Sequence, residues 1–288
     1  MSQVQLEHIV ERVQKLPTLP AVANRITGLL NDPECTAIKI AEVISTDQSL
    51  TARILRLVNS AFYSLCAEVG NVRHAVALLG FRTISQMVIS IAVFDVFREK
   101  YGSEFDRNGF WKHSIGCAVM SKMIAQRSRY PKEDDCFTAG LLHDIGKVVL
   151  DQYLHDEMIL VLKAVREQEL SFVDAEQVVL GLNHSDIGAQ VMKKWNIPLP
   201  ILAAVQHHHQ QVGERKGSAF SQDLIVDCVK LADALCKYNG IGFSGDAVVP
   251  SLDAPLWERL HLEKGAIDDL AQRSSEEIEK AYILLELT

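Results

Sequence analysis

"AGLLHDIGKVVL", residues 139–150, sets His143 and Asp144 side by side in a run that is otherwise apolar or small. Read alone, the surrounding stretch predicts one apolar helix from about 134 to 154. Burying two such polar groups is costly unless something pairs with them. The rest of the chain has to supply the partner.

Outward from this stretch, 3.6-residue periodicity dominates and strand-like alternation is absent, so the sequence predicts an all-α fold. Leu6, Ile9, Val13 and Leu16 share one face of the opening segment. "LPTLP" (16–20) ends it, because proline cannot continue a helix interior, and Pro20 suits the first turn of the next helix. Thr36, and then Thr46 or Asp47, are placed to cap the two helices that follow. Leu50, Ile54, Leu57 and Val58 form a core stripe. Two further helices are expected over 72–81 and 83–100, and a last one over about 264–287. "YGSEFDRNG" (101–109) reads as a boundary. The expected organisation is an N-terminal helical part (1–105), a second helical bundle (106–240) and a C-terminal helical extension (241–288).

The 288 residues are 48% hydrophobic and 23% charged, the balance of a globular chain with an ample core. A net charge of −8 argues against a nucleic-acid partner, whose grip depends on basic surface. The most apolar stretch, 84–97, contains Ser85, Gln86, Ser90 and Asp95 and is too short to span a bilayer. With no secretory leader read at the N-terminus, the expectation is a cytoplasmic protein without a membrane partner. The six cysteines form no CxxC pair, so reduced, buried thiols are expected in place of a zinc ribbon or disulfide framework.

The ten histidines are unevenly placed. His8, His74, His155 and His261 have polar neighbours. His113, the pair His143–Asp144, and Asp233 in "VKLADALCK" sit instead among apolar helix positions. Taken singly, each reads more simply as a satisfied core histidine or a locally bonded aspartate. Taken together, they make an expensive core without a shared counter-charge. A divalent metal supplies one, since imidazole and carboxylate are its usual ligands, provided the helices converge in a bundle.

These residues resemble the H…HD…D signature of the HD metal-dependent phosphohydrolase superfamily, and Lys147 of "HDIGK" matches a common feature there. His184 in "NHSDIGA" and the tandem His208–His209 in "AVQHHHQ" resemble the extra ligands of its two-metal branches, with His207 left as a neighbour. "LPTLPAVANRITGLLND", "IAEVISTDQSLTARILRLVNSAFYS" and "VRHAVALLGFRTIS" are similar to the signature stretches of the HDOD family, an HD-related output domain of bacterial signalling. The resemblance covers about residues 10 to 240.

It implies an N-terminal helical subdomain followed by an HD-type bundle. It implies a metal set of His113, His143, Asp144, His184, His208, His209 and Asp233, holding one or two ions of iron, manganese or zinc. Asp144 then bridges the two ions and, with Lys147, serves catalysis if the site is active. Lys147 reads equally well as a solvated helix residue. Many family members lack the ligands and act through protein contacts, so a regulatory role with protein partners is expected. A metal-dependent phosphohydrolase acting on a phosphate ester is the alternative. Two departures count against cyclic-di-GMP hydrolysis: "QQVGERKGSAF" carries no Gly-Tyr-Pro motif after the histidines, and Gly109 stands where some of that branch carry glutamate. In the N-terminal part, Arg53 and Arg56 read as solvated or locally ion-paired, and Asn59–Ser60 as a helix end.

Overall fold

The computed structural model describes residues 16, 18–98, 104–215, 222–246, 248 and 254–287. Helices fill these residues and no strand occurs among them. The predicted opening helix falls outside the described residues except for Leu16, which is buried.

The N-terminal helices are α1 (Ala21–Leu30), α2 (Ala37–Ser45) and α3 (Gln48–Val58), and all three pack on α4 (Val72–Val96). Their starts follow local chemistry. The side chains of Thr36 and Asp47 accept hydrogen bonds from the backbone N–H of Lys39 and Leu50, each satisfying a donor that a helix start leaves unpaired. Leu50, Ile54, Leu57 and Val58 are buried, as their spacing predicts. Asn59 ends α3 and clamps the chain further on, exchanging hydrogen bonds with the backbone of Val69. Arg53 pairs with Asp95 and Arg56 with Glu286.

The two helices expected over 72–100 are joined as α4, interrupted at Gly80 (φ 82°, ψ 155°). Only glycine occupies that backbone region readily. Gly80→Ala should therefore destabilise the fold by about 1–3 kcal/mol, read from the urea unfolding midpoint, even though a methyl group there would meet no neighbouring atom. Among the described residues α4 is the one helix long and apolar enough to cross a membrane, and 67% of its most apolar window is buried inside the protein.

The second half is built on α5 (Arg107–Arg127), which packs against α6 (Glu133–Leu142) and α12 (Asp223–Tyr238). Between them run α7 (Ile145–Tyr153), α8 (His155–Gln168), α9 (Phe172–Leu180), α10 (His184–Lys194) and α11 (Leu199–His207). The chain closes with α13 (Ala254–Arg259), α14 (Lys264–Ala281) and a 3-10 turn at Tyr282–Leu287. Helix α14 lies on α5, and the closing turn reaches α3 and α4. The halves also meet directly: the Thr27 hydroxyl and the Asn31 amide donate to the carbonyls of Trp195 and Asn196, and Thr83 donates to Asp134. Beyond α12, the Ile241 carbonyl accepts from His113 Nδ1 and the Ser244 carbonyl from the Lys147 ammonium.

Candidate metal centre

His143 and Asp144 are not inside one helix. They form the junction between α6 and α7, where Asp144 leaves helical geometry (φ −99°, ψ 10°). Gly146, in the first turn of α7, permits close packing there. A Cβ at that position would lie 2.0 Å from the carbonyl oxygen of His184, so a glycine is what lets α7 approach the start of α10.

Two groups of side chains meet at this junction. One comprises His113 and Cys117 from α5, His143, and Asp233 from α12; the other comprises Asp144, His184 from α10, and His208 and His209 from the end of α11. Within each group the ligand-type atoms all lie within 4.8 Å of one another. His113 Nε2 is 3.0 Å and His143 Nε2 3.6 Å from Asp233 Oδ1. Across the junction, His184 Nε2 is 2.9 Å and His208 Nε2 3.6 Å from Asp144 Oδ1. Asp144 Oδ2 faces the first group, 3.4 Å from His143 Nε2. The two oxygens of one carboxylate thus look into both groups. All seven residues singled out as ligands converge here. His207 turns away and donates from Nδ1 to the Gln210 side chain at 2.7 Å.

Four of the imidazoles are oriented from behind. The Nδ1–H of His143 donates to the Gly140 carbonyl, that of His208 to Val205 and that of His113 to Ile241, at 2.7, 2.9 and 3.2 Å. His184 Nδ1 donates to the Glu176 carboxylate at 2.6 Å. An acceptor at Nδ1 fixes the proton there and leaves Nε2 as the inward atom, the arrangement typical of metal-ligating histidine. The Nε2 atoms of His143 and His208 are buried with no hydrogen-bond partner, which is rare in a native core.

Charge follows the same plan. Burial alone raises the pKa of Asp144, yet His143, Lys147 and His184 hold it well below the usual carboxylate range. Asp233 is likewise held low against burial by Lys237 and His113. Burial pushes His208 down to about 4, and burial with the neighbouring imidazoles lowers His209. Against burial, Cys117 and Asp233 raise His113 to about 9, Asp144 raises His143, and Glu176 and Asp144 raise His184, so a cation binding here displaces protons from these three imidazoles. By residue type and convergence the donor set fits one or two divalent transition ions.

Lys147 is fully buried, which removes the reading of a solvated helix residue. Its ammonium donates to Asp144 Oδ2 at 2.7 Å and to the Ser244 carbonyl at 2.8 Å, and sits 4.7 Å from the Phe172 ring centroid. A cavity of about 410 Å³ opens onto the cluster, lined by His208, His209, Lys230, Asp233, Lys237 and Asp246 among others. Lys147 is not part of that lining.

Sequence reasoning missed four members of the assembly. Cys117 was expected to be an inert thiol, although its i+4 spacing from His113 on one helix was a visible signal. Glu176 lies on α9, a helix the sequence reading passed over, despite Ser171 and Asp174 at its start. Lys237 joins Asp233 to Asp246, at 2.8 and 2.7 Å; the last of these lies in a loop with no periodic signal. Glu176→Gln tests one such contact. Loss of the charge behind His184 should weaken metal affinity at the Asp144 group about 10–100-fold, with the His113 group unaffected, as measured by competitive chelator titration.

An all-α chain with converging His–Asp pairs on a helical bundle defines the HD-like class of proteins. The HDOD domain model matches residues 16–211, and the chain belongs to the HDOD family. An HDOD domain protein of unknown function from Geobacter sulfurreducens shares the fold at a TM-score of 0.80 and 29% identity, with 99% of each chain covered. A candidate signal transduction protein from Marinobacter aquaeolei VT8 also reaches a TM-score of 0.80, at 21% identity over 99% of this chain and 65% of its own. An uncharacterised Treponema pallidum protein is 23% identical over 202 residues, covering 70% of this chain and 39% of that protein. The chain thus spans well under half the length of that curated relative.

Proposed function

We propose that this protein is a regulatory HDOD protein that has kept a working HD-type metal centre. The observation that carries the reading is the set of buried imidazole Nε2 atoms facing two ionised carboxylates, two of them with no hydrogen-bond partner. Family membership supports the regulatory role, with signals passed through protein contacts. His113, His143 and Asp233 would hold one ion, His184, His208 and His209 a second, with Asp144 offering an oxygen to each. Iron, manganese and zinc all accept such donors.

A second reading, metal-dependent phosphoester hydrolysis, is favoured by the cavity that reaches the cluster. When bound, such ions supply Lewis-acid charge toward phosphate oxygens and lower the pKa of water. In that reading Lys230 and Lys237 line the approach for an anionic ester. Lys147 is a positioning residue: it acts through Asp144 and touches no bound ester.

The experiment is a turnover assay on metal-loaded full chain with bis(p-nitrophenyl) phosphate, p-nitrophenyl phosphate and cyclic dinucleotides. The regulatory reading expects bound metal without turnover. Turnover that requires metal and vanishes in both His143→Ala and Asp144→Ala makes the protein a hydrolase. A folded chain that takes up no metal contradicts both readings.

A further inference from the structure

We propose that Cys117 is a metal ligand, making the His113 group a thiolate-containing site. This rests on the metal-centre reading above and adds to it a donor outside the H…HD…D pattern. Cys117 is buried on α5, one helical turn beyond His113, with Sγ 3.4 Å from His113 Nε2. It lies within the same 4.8 Å as His143 and Asp233.

Two of the separations suit a four-coordinate ion. With metal–nitrogen distances near 2.1 Å and metal–sulfur near 2.3 Å, tetrahedral donors stand about 3.3–3.6 Å apart. Cys117 to His113 at 3.4 Å and His143 to Asp233 at 3.6 Å fall in that range, while His113 to Asp233 at 3.0 Å is a hydrogen-bond distance that opens by a few tenths of an ångström when an ion binds. The independent pointer to a ligand is His143 Nε2, fully buried, aimed into the same space and without a hydrogen-bond partner.

The ordinary alternative is a small buried thiol that fills space. The protein contains an internal contrast. Cys136 and Cys228 are also buried and contact one another, yet neither belongs to any group of ligand-type side chains among the described residues. Cys117 also contacts Cys236, which belongs to no such group. A thiolate donor shifts preference toward zinc or ferrous iron and away from manganese and magnesium.

Cobalt(II) titration of the metal-free full chain tests the assignment, because a thiolate ligand adds an intense sulfur-to-cobalt absorption in the near ultraviolet to the visible d–d bands. The expected result is both features in the wild type and in Cys236→Ser, with the near-ultraviolet feature lost in Cys117→Ser while d–d bands persist. Zinc-loaded wild type should show a sulfur neighbour at about 2.3 Å by X-ray absorption, a readout that needs no variant to fold. Cobalt d–d bands without the sulfur feature, or a sulfur feature that survives Cys117→Ser, overturns the Cys117 assignment and leaves the metal centre standing. No cobalt uptake at all overturns both.

Discussion

Replacing Asp144 by alanine strips the centre of metal in both halves. Its two carboxylate oxygens face separate groups: Oδ1 lies 2.9 Å from His184 Nε2, and Oδ2 lies 3.4 Å from His143 Nε2. No other side chain in the cluster spans the junction in this way. The loss in affinity should exceed the ~10–100-fold that removing an outer partner of a ligand costs. His143→Ala should disrupt the first group and spare much of the second, so the two variants separate a shared ligand from a private one. Asp144→Ala also leaves the fully buried Lys147 ammonium without its carboxylate, and breaking a buried pair from one side costs about 3–5 kcal/mol. Metal content should therefore be read on the folded fraction, with circular dichroism alongside. Unchanged stoichiometry in both variants would remove the centre from the account.

The second large effect lies in the frame. Asp227, fully buried on α12, accepts from Arg215 Nη2 at 2.6 Å and from Arg259 Nε and Nη2 at 2.8 and 3.0 Å. The Arg215 side chain is itself completely buried. Asp227→Ala strands that guanidinium with only Asp223 and backbone carbonyls for company, and should destabilise the protein by about 3–5 kcal/mol. Denaturant unfolding of the full chain measures it. Arg56→Ala, which breaks the exposed pair with Glu286, should change stability by less than about 0.5 kcal/mol. The contrast matters for function. Arg215 ties the segment after His208–His209 to α12, the helix that carries Asp233, so the loss should also loosen the relative placement of the two ligand groups.

Much of this was legible from residue order. Periodicity gives helices, and caps such as Thr36 and Asp47 obey local hydrogen-bond rules that need no tertiary context. Histidines on apolar faces announce an unusual core because burial makes them costly one by one. The junction at His143–Asp144 was not legible. Apolar periodicity runs straight through it, and the packing of α7 against the His184 carbonyl, 38 residues away in sequence, leaves no local signal beyond Gly146. Glu176, Lys237 and Asp246 escaped for a similar reason. Each looks like an ordinary helix or loop charge until folding brings it behind a ligand, and such pairings have no fixed sequence spacing. Lys147 shows the reverse error: a lysine is almost always solvated, and only its burial against Asp144 and Ser244 shows otherwise.

The most direct test of the metal centre is elemental analysis of the full chain, purified without an affinity tag or chelator. The account predicts one or two equivalents of a transition metal per chain, recovered after stripping and reloading. A folded protein that contains no metal and cannot be loaded would contradict it, and the buried imidazoles would then be a polar core held by Asp144, Asp233, Glu176 and backbone carbonyls.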